Sequence, residues 1–248
     1  MTTALFTHPD AERHITPPGH PEQVARHAAV IAALEGLDLD RREAPRANEA
    51  DILRCHPQSY LDRIREAIPD QGWQMLDEDT HLSPGSLDAA LRGAGGAVAA
   101  VDAVLAGEAA NAFVAMRPPG HHAERETAMG FCLLGTAAIA AKRALDHHGL
   151  DRVAVLDFDV HHGNGTQDLL WDERRAFFAS THQMPLYPGT GAKNETGAGN
   201  IVNAPLSPRS GSELFREAFE ARILPAIANF RPDLLIISAG FDAHHRDP

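Results

Sequence analysis

Between Pro84 and Gly107 the residues Leu87, Leu91, Ala94, Val98, Val101 and Leu105 recur every three or four positions, the spacing of one face of an amphipathic helix. Ser83 is placed to cap that helix, Pro84 suits its first turn and Gly107 ends it. Three short apolar runs, at 112–116, 153–158 and 234–238, predict buried strands. Helical patterns at 135–147 and 212–229 lie among them, and Pro225 is expected to bend or interrupt the second. Strands alternating with helices predict an α/β fold, a mostly parallel sheet with helices on both faces, in which ligands bind beyond the carboxyl ends of strands. The stretch 187–208, rich in Gly, Asn, Pro and Thr, reads as a long loop with one short strand at 201–203. Gly93, Gly95 and Gly96 resemble a dinucleotide fingerprint, but they fall inside the helix instead of between a strand and a helix.

A length of 248 residues, 44% hydrophobic, suits one domain spanning 1–248. Lys and Arg total 22 against 34 Asp and Glu, a net charge of −12, which argues against binding nucleic acid through phosphates and favours a cationic ligand. Fifteen histidines are many for this length, and histidine is both a common metal ligand and a near-neutral acid or base. Cys55 and Cys132 are too few for a disulfide framework and point to a reducing compartment. Without a leader pattern or a run of about 18 apolar residues, the expected location is the cytoplasm, with no membrane role. Composition leaves the oligomeric state open.

Each strand candidate runs into a polar cluster at its C-terminal end. The clusters are Arg117 to Ala123 with the pair His121-His122, Asp157 to Gly165, and Ser238 to His245. Asp157, Asp159 and His161 stand at i, i+2 and i+4, so an extended segment would project all three from one face toward one cation. Two carboxylates and an imidazole suit zinc, and Asp242 reaches the same end of the sheet from another strand. On the alternative reading the carboxylates cap the next helix and the histidines line a solvated loop. His121 and His122 invite an acid/base role, although adjacent histidines also occur in loops without one. Asp157 and Asn164 would orient those imidazoles.

The strings RPPGHHAERETAMGFC (117–132), DFDVHHGNGTQ (157–167), YPGTG (187–191) and SAGFDAHHRDP (238–248) resemble the zinc-dependent histone deacetylase family, of the class II type with bacterial relatives. Weaker likeness at GHPEQVARH (19–27) and DEDTHLSPGS (77–86) extends the match over essentially the whole chain. The resemblance implies an arginase/deacetylase-like fold and one catalytic zinc held by Asp159, His161 and Asp242. It makes His121 and His122 the tandem histidines serving the attacking water, with Asp157 paired to the first and Asn164 to the second. A structural potassium ion would be bound by Asp157, Asp159, His161, Ser180 and Thr181. Gly130, Phe131 and Tyr187 would line a narrow channel for the acyl-lysine stem, and Asp79 would hold the substrate backbone at its rim. The implied reaction hydrolyses the amide of an acetylated protein or small amine.

Two departures stand out. Gly135 replaces an asparagine frequent in relatives, and the sequence ends at Pro248, six residues after Asp242, whereas relatives continue to a tyrosine or histidine that supports the oxyanion. The chain is therefore expected to be truncated at its C-terminus, and losing such a donor commonly costs about 10²–10³ in rate. An acetylpolyamine amidohydrolase and a noncatalytic zinc or acyl-lysine-binding remnant are the alternatives. A binuclear manganese ureohydrolase, suggested by Asp242-Ala243-His244, fits less well because of the tandem histidines. His8, His14, His20, His27, His56, His147 and His148 read as structural or solvated. His162, His244 and His245 read as loop support, and Cys132 as a small packing residue.

Overall fold

Ala4, Leu5 and Phe6 are almost wholly buried, and they form the middle strand of a parallel sheet. The computed structural model describes residues 2–247, and the chain divides between Arg143 and Ala144 into two units. In the first, β1 (Thr3–Thr7) is followed by α1 (Val24–Ala33), β2 (Leu39–Glu43), α2 (Glu49–Ile52) and α3 (Gln58–Ala67). A two-stranded antiparallel pair, β3 (Gln74–Met75) and β4 (His81–Leu82), precedes the long helix α4 (Ser86–Leu105) and β5 (Asn111–Val114). The sheet order is β2-β1-β5, all parallel, with Ala100 and Ala103 of α4 packed on Ala4 and Phe6.

α4 begins two residues later than the capping pattern suggests, with Gly85 at its N-cap. Ser83 does not cap it: its hydroxyl accepts the Ile15 N–H at 2.9 Å, while the Ser83 N–H donates to Ser86 Oγ at 2.7 Å. The three glycines do lie inside this helix, and Gly95 has a packing reason, since a Cβ there would collide with the backbone of Pro45 and Ala47.

The unit boundary falls within α5 (Thr136–Asp146). The second unit holds β6 (Val153–Asp157), α6 (Asn164–Leu170), β7 (Ala176–Gln183), β8 (Ile201–Leu206), α7 (Gly211–Ala218), α8 (Leu224–Phe230) and β9 (Leu234–Ser238). Its four strands run in the order β8-β7-β6-β9 and all pair in parallel. Pro225 acts as expected on the helical stretch: a π-type turn, Phe219–Ile223, interrupts it between α7 and α8, and the proline, which cannot donate a backbone hydrogen bond to the preceding turn, is the second residue of α8.

These are the parallel sheets flanked by helices of the α/β class. Of the three strands read as buried, only β6 is buried throughout. β5 alternates half-buried with exposed residues, and β9, which among the described residues pairs with β6 alone, exposes Leu235 and Ile237. A short apolar run therefore reported strand and position, while burial followed from place in the sheet.

Candidate active site

β6 and β9 pair so that Asp157 lies opposite Ser238, and the segments leaving both strands start at one level. The chain does not stay extended after β6. The Asp159 N–H donates to Asp157 Oδ1 at 3.1 Å and the His161 N–H to Asp159 Oδ1 at 2.8 Å, two successive tight turns closed by carboxylates. The expected alternation of Asp157, Asp159 and His161 on one face is thus lost, and Asp157 is fully buried, its Oδ1 accepting the Asp159 N–H. Asp159 and His161 meet Asp242, whose Oδ1 accepts the Val160 N–H at 2.9 Å. His161 Nδ1 lies 3.0 Å from Asp159 Oδ1 and 3.0 Å from Asp242 Oδ2. Among the described residues these three offer one ligand atom each, all within 4.8 Å of one another, and all are half-buried.

Two oxygen donors and one imidazole nitrogen, partly screened from solvent, suit a borderline divalent cation with an open coordination position. Hydrogen bonds to Asp159 and then Asp242 raise the His161 imidazole to a pKa of about 9, against its desolvation. Gly240 supplies the room, because a Cβ there would collide with the Asp159 carboxylate. The ring centroid of Tyr187 lies 6.3 Å from that of His161, edge-on at 74°. Asn164 is buried at the start of α6, and Ser180 on β7 faces Asp157 in register, its Oγ 2.9 Å from His182 Nδ1. Thr181 Oγ1 is buried without a hydrogen-bond partner. A cavity of about 770 Å³ in this unit is lined by Asp159, Gly240 and Phe241, so it borders the cluster on its Asp159 side.

In the first unit, the rings of His121 and His122 lie 3.9 Å apart, tilted by 45°, with His122 buried. The His122 N–H donates to Cys132 Sγ at 3.4 Å. Gly130, at φ +55°, lays its backbone against the His122 ring, where a Cβ would clash. Phe131 also adopts a left-handed conformation, φ +68°, and its N–H donates to Thr80 Oγ1 at 3.1 Å. Thr80 in turn donates to Asp79 Oδ1 at 2.9 Å, so the expected rim and channel residues are linked through one buried hydroxyl. His20 Nε2 stands 2.9 Å from the Asp79 carbonyl. Thr80 went unnoticed in the sequence because a lone threonine carries no signal. His56 is a satisfied core histidine: Gly135 N–H donates to Nε2 at 2.9 Å, so Nδ1 donates to the Arg125 carbonyl at 3.1 Å.

A family model described as the histone deacetylase domain matches residues 20–248. A histone deacetylase-like amidohydrolase of Pseudomonas aeruginosa is 42% identical over 93% of the chain and 63% of its own length. A probable deacetylase of Archaeoglobus fulgidus is 41% identical over 100% of the chain and 71% of its own length. The crystal structure of the HDA15 HD domain superposes with a TM-score of 0.93 at 32% identity, covering 100% of this chain and 75% of that one. The chain thus spans between about two thirds and three quarters of these proteins. No helix among the described residues is long and apolar enough to cross a membrane. With the family model matched across all but the first residues and the polar clusters at the strand ends inside that match, the chain belongs to the histone deacetylase family.

Proposed function

We propose that this chain is the hydrolytic part of a zinc-dependent deacetylase, cleaving the amide of an acetylated amine to acetate and a free amine. The observation that carries the reading is the convergence of Asp159, His161 and Asp242 at two parallel strand ends, with the Tyr187 ring beside them. A zinc ion held by those three would supply Lewis-acid polarisation of the amide carbonyl and a more acidic water. His122 takes the proton of the attacking water, and a protonated histidine of the His121-His122 pair returns one to the departing amine. Asp157 and Asn164 orient these imidazoles, while Gly130, Phe131 and Tyr187 admit a slim neutral acyl stem and Asp79 holds the substrate backbone. The family pattern supports a potassium ion near Asp157, Asp159, His161, Ser180 and Thr181 as part of the same proposal. A net charge of −12 favours a cationic substrate, a basic peptide or a polyamine.

The test combines metal analysis of the purified chain with turnover of a fluorogenic acetyl-lysine peptide. One zinc with turnover is the expected result. Two manganese ions per chain would replace this reading with a ureohydrolase. Bound zinc without turnover would reduce the chain to an acyl-lysine-binding module.

A further inference from the structure

Glu195 belongs to none of the strand-end clusters, yet its half-buried carboxylate is the most heavily used acceptor in the loop that follows Tyr187. It accepts the Gly191 N–H at 3.0 and 3.1 Å, the Ala192 N–H at 2.9 Å and the Gln167 side-chain amide at 2.7 Å. Burial alone would raise its carboxyl, but those donors outweigh it and hold it below the usual range.

The carboxylate also sets the direction of a closed ring of hydrogen bonds. With Gln167 Nε2 donating to Glu195, the Gln167 Oε1 faces outward, where it accepts Asn203 Nδ2 at 2.7 Å and lies 3.1 Å from His162 Nε2. His162 Nε2 is therefore the protonated nitrogen, and Nδ1 accepts the Thr190 hydroxyl at 2.8 Å. Thr190 adjoins Gly191, which returns to Glu195. Gly191, at φ +92°, leaves no room for a side chain, since a Cβ would strike the rings of His182 and His162, and its carbonyl lies 3.0 Å from His182 Nε2. The turn is thus gripped on both sides, and His162 directly follows the metal-ligating His161.

We propose that Glu195 is a positioning residue that fixes the 187–191 turn, and with it the Tyr187 wall of the acyl-lysine channel, relative to the metal-binding segment. The assignment rests on the function proposed above. It implies that losing the carboxylate harms substrate binding more than chemistry, because the carboxylate grips the 191–192 backbone at the end of the Tyr187 turn.

The experiment compares the wild-type chain with Glu195→Ala, Glu195→Gln and Glu195→Asp, measuring zinc content, KM and kcat on an acetyl-lysine peptide, and peptide affinity by fluorescence anisotropy. Glu195→Ala is expected to raise KM and Kd about tenfold, the loss of charge-assisted hydrogen bonds, with kcat within about twofold and zinc unchanged. Glu195→Asp should bind better than Glu195→Gln, because the charge sets the ring's direction, whereas a mere space-filling role would rank the isosteric glutamine first. Unchanged binding in Glu195→Ala, the reverse order of Gln and Asp, or a fall in kcat together with zinc would each overturn the assignment. A wild-type chain that neither binds nor cleaves the peptide overturns the proposed function, and this assignment with it. An active wild type with an indifferent Glu195→Ala overturns only the assignment.

Discussion

Replacing Glu22 by glutamine should destabilise the protein by about 3–5 kcal/mol at neutral pH, because it strips a buried guanidinium of its charge partner. Glu22 is 1% exposed and Arg117 4%, and the pair is bidentate, with Nε and Nη2 donating to the two carboxylate oxygens at 2.6 Å each. Arg117 Nη1 also donates to the carbonyls of Ala11 and His14 at 2.7 Å, so it cannot turn away to water without breaking further bonds. Burial raises the Glu22 carboxyl, but the hydrogen bonds and charges of His14 and Arg117 bring it down to about 2 from 4.5. The folded value is depressed, so the stabilisation is present above the unfolded pKa and is lost as pH falls toward the folded one. At about 1.36 kcal/mol per pH unit the whole contribution is about 3 kcal/mol, with about 1 lost by pH 4 and about 2 by pH 3. The assay is denaturant unfolding of wild type and Glu22→Gln from pH 7 to 3. Their stability difference should be constant above about pH 5.5 and shrink below it. A difference under about 1 kcal/mol at pH 7, or one that does not change with pH, would refute the reasoning.

Asp242→Ala should abolish stoichiometric zinc binding, measured by metal analysis after dialysis, and full retention of the metal would remove Asp242 from the ligand set. His56 is held neutral by burial, its pKa lowered to about 4 from 6.5, so the unfolded chain takes up the proton first and stability falls as pH drops from about 6.5 toward 4. In His56→Gln that slope should diminish, as read from unfolding midpoints at pH 7 and 5. Gly95→Ala should destabilise by about 1–3 kcal/mol despite alanine's better helix propensity, because the new methyl meets backbone atoms of Pro45 and Ala47 that cannot swing aside. A thermal midpoint equal to or above that of wild type would contradict the close approach.

Most of the candidate chemistry was legible in the chain because it is local. The strand-end clusters at His121-His122, at Asp157 to His161 and at Asp242 are written in contiguous residues, and their order matches a family whose motifs are long. The amphipathic period of α4 and the break at Pro225 are local too. Burial was read less well. The run Leu234–Ser238 looks like β6 in composition, yet among the described residues it pairs with β6 alone and Leu235 and Ile237 are exposed, since what covers a strand depends on its neighbours. Ser83 misled for a similar reason: the Ile15 N–H, distant in sequence, competes for its hydroxyl.

The sequence by itself determined the element types, the residues available to a cation and the family, because periodicity and contiguous motifs are properties of neighbouring positions. Tertiary structure decided which carboxylates meet: backbone N–H groups close turns after β6, so Asp157 is fully buried while Asp159 and His161 join Asp242 across the β6–β9 register. It also decided the supporting parts, the Thr80 link between Asp79 and Phe131, the Glu22–Arg117 pair and the Glu195 ring. Each joins residues whose chemistry is unremarkable alone, and only chain folding fixes the distances and burial that give them a role.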